Sequence, residues 1–294
     1  MENTKNITLP APAKINVCLG VTRKRGDGYH DIDSVMQTVA LCDSVSVSLA
    51  ENARGAEITV LCPGHESLEG EKNIAFRAAK SYFDYTKTEN YSVSIVIEKV
   101  IPMEAGLGGG SSDAAAVLLA LNALAPVPLE ESELISIGAR VGADVPFLLR
   151  RGTALVGGIG EKLSPCRPLP ETSVLIAYPK HEKVATGKAY AAIDARGEFS
   201  SPSDFEKMKL ALESGNISEV AGASYNIFES VLPGGSAVFG LKKEMLAHGA
   251  LMSLMSGSGS AVFGFFPSDE CARTAAKALA PAADTFVTEL FRAD

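Results

Sequence analysis

The chain has 294 residues, 46% of them hydrophobic and 21% charged, so it is long enough for two domains and too apolar for a disordered protein. Its formal net charge of −8 at pH 7 argues against binding nucleic acid through a general basic face. The longest apolar run, residues 114–121, is far shorter than a membrane span, so we expect no membrane partner either.

The first half of the chain predicts a domain of mixed strands and helices. Residues 44–49 alternate between polar and apolar side chains, which is typical of a half-buried strand. The predicted elements, in chain order, are strands within 7–62, a helix near 73–85, a strand at 91–101, helices at 113–124 and 130–141, and a hairpin formed by 152–158 and 161–164. We therefore expect an α+β N-terminal domain.

The second half starts a new pattern at Ser173. The predicted elements are a strand at 174–178, helices up to about 247, strands at 251–255 and 261–266, a helix at 268–279 and a strand at 286–291. This β-α-β-β-α-β order is typical of a ferredoxin-like domain. The proline-rich residues 165–170 are the predicted linker, so we place the domains at 1–166 and 167–294.

A glycine-rich run joins the predicted strand at 91–101 to the predicted helix at 113–124. Its residues are Pro102, Met103, Glu104, Ala105, Gly106, Leu107, Gly108, Gly109, Gly110, Ser111 and Ser112. Glycines let an oxyanion approach backbone N–H groups closely, and a helix start adds partial positive charge. The run therefore predicts a phosphate-binding loop, and the alternative is a tight turn without a ligand.

Two familiar nucleotide-binding motifs do not fit this run. The dinucleotide fingerprint needs a third glycine where Ser111 stands, and the P-loop needs a lysine after its last glycine, whereas Gly110 is followed by Ser111. A loop without its own lysine needs basic groups from elsewhere to balance phosphate charge.

Lys14 and Asn16 are candidates for a functional strand face, because side chains two apart on a strand point to the same side. Lys14 is either the missing lysine or a solvated side chain. Tyr29 and His30 follow a turn at Gly28 and predict either a pocket for a heterocycle or an exposed hairpin tip.

Asp144 stands two residues before Pro146, where it either caps a helix or serves as a catalytic carboxylate. A second connection of glycine and serine, residues 256–260, is a predicted hairpin turn. Its amides are alternatively candidates for contact with the same phosphates.

Secretion is not predicted. Residues 1–6 lack the apolar core of a secretory signal. The five cysteines are odd in number and at least 20 positions apart, which favours neither a disulfide framework nor a zinc knuckle. We therefore expect a cytoplasmic protein.

In their order along the chain, these motifs resemble the GHMP kinases. The resemblance extends over Pro12 to Asn16, Gly28 to His30, Gly106 to Ser112 and Gly142 to Pro146. Within this family, the motifs resemble specifically those of the enzymes that phosphorylate the 2-hydroxyl of a cytidine-diphosphate sugar alcohol in the non-mevalonate isoprenoid pathway. The fold that this resemblance implies is an N-terminal ribosomal-protein-S5-like α/β domain followed by a ferredoxin-like domain.

The same resemblance implies roles for individual residues. Lys14 and Asp144 would be catalytic, Pro102 to Ser112 would bind ATP, and Mg²⁺ would accompany ATP with Ser112 as its protein contact. The residues implied on the substrate side are Asn16, Tyr29, His30, Thr186 and Tyr190. A small-molecule substrate is thus implied, and we expect a monomer or a weak homodimer.

Two positions depart from the family pattern, and two other functions remain open. Glu104 stands where many relatives carry a small residue and must turn outward to avoid the phosphates, while Ile227 replaces an acidic residue. The alternatives are another small-alcohol kinase, of the homoserine or mevalonate type, or a nucleotide-binding protein without catalysis.

Overall fold

The computed structural model describes residues 4–52 and 55–292. It divides into two compact units. Unit one comprises Met1–Ala13, Cys42–Ile101 and Gly108–Arg150, and unit two comprises Lys14–Leu41, Pro102–Leu107 and Arg151–Asp294. The domain boundary at residues 166 and 167 stays a prediction.

Two long strands, β1 (Lys5–Lys24) and β2 (His30–Glu51), contribute residues to both units. Unit one also contains β3 (Glu57–Leu61), α1 (Ile74–Thr86), β4 (Tyr91–Glu98), α2 (Gly109–Leu124), α3 (Glu131–Val141) and α4 (Val145–Arg150). Two 3-10 turns, Glu66–Leu68 and Gly70–Lys72, precede α1.

In unit one the strands lie in the order β3, β4, β2, β1. Strand β4 runs parallel to β3 and antiparallel to β2, with Ile97 opposite Val45. Alternate side chains of β4, such as Val93 and Ile95, are buried, as the polar and apolar alternation predicts. The buried faces of α1 and α2 complete this core.

Helix α2 begins at Gly109, four residues before its predicted start at Asp113. Gly108 adopts the left-handed conformation with φ of 70° and stands at the N-cap, so the glycines form the first turn rather than a loop before it. Glycine has poor helix propensity, which is why the sequence pattern placed the start later.

Unit two contains the remaining elements. They are β5 (Thr153–Gly157), β6 (Lys162–Ser164), β7 (Ser173–Pro179), α5 (Thr186–Arg196), α6 (Pro202–Ser214), α7 (Ile217–Ala223), β8 (Tyr225–Asn226), α8 (Ala237–Ala247), β9 (Met252–Met255), β10 (Val262–Phe266), α9 (Asp269–Leu279) and β11 (Ala283–Glu289), with a 3-10 helix at Ile227–Val231. Strand β5 pairs with β2 and β6, and β8 pairs with β1.

The second sheet of unit two has the order β11, β7, β10, β9, and all neighbouring strands are antiparallel. This is the order in which a β-α-β-β-α-β chain builds a ferredoxin-like sheet, so the predicted architecture is confirmed. All five residues of β10 are buried, including Phe263 and Phe265. Strand β11 starts at Ala283, three residues earlier than predicted, because residues 283–285 still pair with β7.

The sequence predicts no membrane partner, and the length and composition of the helices bear on that prediction. Across 4–52 and 55–292, none of the helices has both the length and the apolar composition needed to cross a bilayer.

Candidate functional site

In unit two, the first half of the glycine-rich loop is fixed by hydrogen bonds from the protein. Three successive carbonyl oxygens each accept one such bond. The pairs are Ala261 N to Ala105 O at 3.0 Å, Ser256 Oγ to Gly106 O at 3.0 Å, and Lys14 N to Leu107 O at 2.9 Å. The loop therefore has a defined conformation before any ligand binds.

Gly106 lies directly against the second connection of glycine and serine. Its φ is +79°, and a Cβ atom at this position would lie 2.1 Å from the carbonyl oxygen of Ser256. Gly257 has φ of +57°, and its Cβ position is 3.0 Å from the carbonyl oxygen of Gly106. Only glycine fits at such an approach of two backbones. The connection at 256–260 is thus both a hairpin turn and a neighbour of the predicted phosphate loop.

The second half of the loop, Gly108 to Ser112, belongs to unit one and opens α2. Among the residues that the structure describes, no side chain caps this helix, so the amide N–H groups of its first turn are donors for solvent or a ligand. Ser112 is 1% exposed, and its hydroxyl donates to the carbonyl oxygen of Pro12 at 2.7 Å. Ser112 therefore anchors the helix start, whatever else it binds.

Lys14 and Asn16 share a face of β1, as strand alternation predicts. Lys14 is 4% exposed and donates from Nζ to Oδ1 of Asn16 at 2.6 Å, and Asn16 donates to Ser34 Oγ at 2.9 Å. The Nζ atom also lies 3.3 Å from the Cβ position of Gly257. A buried amine therefore adjoins the two glycine turns of unit two, which is where a loop without its own lysine needs a cation.

Asp144 is a half-buried residue in unit one, directly before α4. Its carbonyl oxygen accepts the first-turn amide of Leu148 at 3.1 Å. A Cβ atom at Gly142, in the same loop, would lie 3.7 Å from Ser111 Oγ. The loop that carries Asp144 thus adjoins the start of α2.

His30 belongs to a polar and aromatic group in unit two. Its ring is almost buried, stacks on Tyr190 with centroids 4.7 Å apart, and its Nε2 atom lies 2.7 Å from Oδ1 of Asp194. Lys24 donates to Oδ2 of Asp194 at 2.7 Å. Two hydrogen bonds lower the pKa of Asp194 below its usual range. The bond from His30 has the larger effect, and the bond from Lys24 has the next largest. Since the carboxylate accepts, Nε2 of His30 is the donor.

Asp194 was missed by the sequence analysis, although its spacing gives a signal. Thr186, Tyr190 and Asp194 are four residues apart on α5 and therefore share one helix face. Thr186 Oγ1 lies 2.8 Å from Ser258 Oγ, which connects this face to the second glycine turn. Tyr29 is 60% exposed, so its ring is available for stacking.

Glu104 turns outward, as the sequence analysis required. Its φ is +55°, its side chain is exposed, and it pairs with exposed Lys183 at 3.1 Å. The predicted conflict between this carboxylate and bound phosphates is thereby avoided.

The segment around Ile227 also contributes, through its neighbours. Asn226, another residue missed from the sequence, donates from Nδ2 to the carbonyl oxygens of Met255 at 2.7 Å and Gly257 at 2.8 Å. Glu229 accepts the amide of Met255 at 2.8 Å. The departure at Ile227 therefore leaves intact the polar contacts that hold the turn after β9.

Family models match both halves of the chain. The model described as the GHMP kinases N terminal domain matches residues 73–152, and the one described as GHMP kinases C terminal matches residues 208–283.

Two similar proteins carry the same name. A 4-diphosphocytidyl-2-C-methyl-D-erythritol kinase of Pelobacter propionicus is 41% identical over 92% of this chain and 93% of that protein. One of the same name from Geobacter sulfurreducens is 39% identical over 93% of this chain and 94% of that protein.

Two solved structures are similar to this chain in fold. A crystal structure of 4-(cytidine 5'-diphospho)-2C-methyl-D-erythritol kinase has a TM-score of 0.78 at 33% identity, covering 98% of this chain and 100% of that one. A homoserine kinase from Cytophaga hutchinsonii has a TM-score of 0.73 at 20% identity, covering 97% and 94%, and shares the fold.

The variant Gly106→Ala tests the close approach of the two turns. We expect the free energy of unfolding to fall by about 2–4 kcal/mol, because the new methyl group meets a backbone oxygen and φ is positive. Urea unfolding measures it. The control Gly222→Ala lies in α7 with no atom within 4 Å of its Cβ position and should be neutral or stabilising. Equal stability of Gly106→Ala and the parent would contradict the packing described.

The variant Asp194→Asn tests the contact with His30 through its pH dependence. Because the pKa of Asp194 is lower in the folded state, its contacts stabilise the protein above the ordinary aspartate pKa, near 4. That stabilisation is lost as the pH falls through the lower, folded value.

The difference in unfolding free energy between the parent and Asp194→Asn should thus reach its maximum above about pH 5 and become smaller below about pH 4. Urea titrations across this range measure it. The control Asp84→Asn, whose carboxylate pairs with exposed Lys80, should change stability little at any pH. A difference that grows towards acid pH would contradict the stabilising contacts of the Asp194 carboxylate with His30 and Lys24.

Proposed function

Because the chain belongs to the GHMP kinase family and, within it, to the 4-diphosphocytidyl-2-C-methyl-D-erythritol kinases, we propose that it transfers the γ-phosphoryl group of ATP to the 2-hydroxyl of that cytidine-diphosphate sugar alcohol. The full-length similarity carries this proposal. Membership confirms the resemblance predicted from the motifs. The reaction is a step of the non-mevalonate route to isoprenoid precursors.

We propose that residues Pro102 to Ser112 bind ATP and that Gly106 to Ser112 hold its β- and γ-phosphates. Protein donors already hold the carbonyl oxygens of residues 105–107, and α2 starts without a side-chain cap. The loop is therefore preorganised, with first-turn amide donors and the positive end of the helix dipole available to phosphate.

Lys14 is the proposed source of the positive charge that the loop lacks. Its Nζ atom is buried beside Gly257 and held by Asn16, so it does not have to be ordered when the reaction occurs. A fixed ammonium stabilises the charge that spreads over the oxygens of the transferring phosphoryl group.

Asp144 is the proposed partner of the substrate hydroxyl. A carboxylate accepts the hydrogen bond of an alcohol, aligns its oxygen with the γ-phosphorus and can take its proton as the new P–O bond forms. The first turn of α4 holds the backbone at this residue, which supports a fixed orientation.

We propose that His30, Tyr29 and Tyr190 bind the cytosine base, with Asn16 and Thr186 nearby on the substrate side. Asp194 accepts a hydrogen bond from His30 Nε2, and in the tautomer that carries its proton on Nε2 the Nδ1 atom is an acceptor. Cytosine has an exocyclic amino group that can donate to such an acceptor, whereas uracil has a carbonyl there. The tyrosine rings supply stacking surface.

Mg²⁺ is proposed as the partner of ATP. Mg²⁺ is held mainly by phosphate oxygens, water and one or two protein oxygens, and it neutralises phosphate charge. Of the residues described here, no three His, Cys, Asp or Glu side chains group as a metal site. Ser112 stays the candidate contact, since its hydroxyl donates its hydrogen to Pro12 and keeps lone pairs on oxygen.

A cytoplasmic location is part of the proposal. All five cysteines are free thiols, which fits a reducing compartment. The oligomeric state, monomer or weak homodimer, stays a prediction.

The proposal is tested by ATP consumption with purified protein and Mg²⁺. We expect turnover with 4-diphosphocytidyl-2-C-methyl-D-erythritol, and none with homoserine, mevalonate or RNA as the second reactant. Turnover with homoserine or mevalonate instead would favour the other small-alcohol kinases. Binding of an ATP analogue without turnover of any alcohol would favour the nucleotide-binding protein.

The variant Asp144→Asn tests the carboxylate. We expect kcat to fall by roughly 10²–10⁴, the usual contribution of a positioned acid or base, while the Kd of a non-hydrolysable ATP analogue stays nearly unchanged. Steady-state kinetics and calorimetry measure the two quantities. The surface variant Asp84→Asn should match the parent in both, and a near-normal kcat for Asp144→Asn would exclude the assigned role.

A further inference from the structure

A cluster of three charged side chains is buried in unit one, beside the start of α2, and none of the three has been given a role above. The side chains of Asp43, Lys99 and Asp113 are 0%, 5% and 4% exposed. Lys99 Nζ donates to Asp43 Oδ2 at 2.5 Å and to Asp113 Oδ2 at 2.7 Å. Burial lowers the pKa of Lys99, but the two carboxylates outweigh burial and raise it overall, so the ammonium stays charged.

The cluster is bonded to the chain on both sides of the glycine-rich loop. Asp43 Oδ1 accepts the amide N–H groups of Val100 at 2.5 Å and Ile101 at 2.8 Å, the last residues before the loop. Asp113 is the fifth residue of α2, the helix that the loop opens. Lys99 joins the two carboxylates, and its Nζ lies 3.4 Å from the Cβ position of Gly109.

This arrangement costs free energy, which is unexpected for three side chains whose only role is to stabilise the core. Burying one amine and two acidic side chains carries a large desolvation penalty, which raises the pKa of Asp113 to about 7, and apolar side chains usually fill such a space at least as well. Oδ1 of Asp113 is buried with no hydrogen-bond partner among the described residues, which adds to the cost. Charged groups differ from apolar ones in forming directional hydrogen bonds, and these can connect two backbone segments.

We propose that Asp43, Lys99 and Asp113 are positioning residues for ATP, which hold the two flanks of the glycine-rich loop at the separation that lets its amides bind phosphate. The inference rests on the proposed function, in which this loop binds ATP. The three residues act through the backbone of Val100, Ile101 and the first turns of α2, and need no contact with the nucleotide.

The test compares two substitutions of Asp113. Asp113→Leu keeps the branching and the number of side-chain heavy atoms but removes the acceptor for Lys99, whereas Asp113→Asn keeps an oxygen for it. Calorimetry gives the Kd of a non-hydrolysable ATP analogue with Mg²⁺, and steady-state kinetics give kcat and the KM of each substrate.

For Asp113→Leu we expect the Kd of the analogue and the KM for ATP to rise about tenfold, the size of one lost charge-assisted contact, with the KM for the sugar alcohol within about twofold of the parent. Asp113→Asn should recover most of the affinity. A Kd for folded Asp113→Leu within about twofold of the parent would overturn the proposal.

A second variant and a control separate positioning from stability. Asp43→Asn keeps an oxygen for Val100 and Ile101 but presents an amide to Lys99, so it should weaken analogue binding in the same way. Val47→Ala removes a buried side chain from the same strand without touching the loop. It should lower the midpoint of thermal unfolding and leave the Kd unchanged. Equal effects of Val47→Ala on the Kd would also overturn the proposal.

Hydrogen exchange on the parent protein needs no variant. Amides held by Asp43 should exchange slowly at Val100 and Ile101 in the protein without nucleotide, and fast exchange there would contradict a preformed anchor. Failure of the proposed function gives a different result, since the parent itself would then not turn over the sugar alcohol or bind the ATP analogue.

Discussion

The contact between two glycine turns, in which Gly106 lies against the backbone of Ser256 and Gly257, is the constraint on which the candidate site in unit two depends. No side chain fits at this approach, because the Cβ position of Gly106 is 2.1 Å from a carbonyl oxygen. With the backbones in contact, the hydroxyl of Ser256 reaches the carbonyl oxygen of Gly106, and Lys14 Nζ lies beside Gly257. One steric requirement therefore holds the loop against its neighbouring turn, with the amine of Lys14 beside that turn.

The polar residues around this contact hold backbone and thus serve the site indirectly. Asn226 binds the carbonyl oxygens of Met255 and Gly257, and Glu229 binds the amide of Met255. In unit one, Ser112 and Asp43 do the same for the start of α2 and for the residues before the loop. Buried side chains that bond backbone groups in this way give flexible, glycine-rich segments a single conformation.

Much of this could be predicted from local pattern. Alternation at residues 44–49 identified part of β2, the β-α-β-β-α-β order identified the second sheet of unit two, and spacing two apart placed Lys14 beside Asn16. What pattern could not give were pairings across long separations, such as His30 with Asp194 and Lys99 with Asp43, since a single charged residue in a sequence gives no sign of its partner. The start of α2 was placed late for a related reason: the conformation of Gly108 permits a helix that glycine propensity argues against.

Lys14 contributes to the protein through two independent groups. Its backbone amide supports Leu107, and its amine is the chemical group beside Gly257. Every amino acid except proline has that amide. The backbone contact with Leu107 therefore does not depend on which side chain stands at position 14. A substitution that removes the amine keeps the amide that supports Leu107, so the chemical character of this position can change without rebuilding the fold.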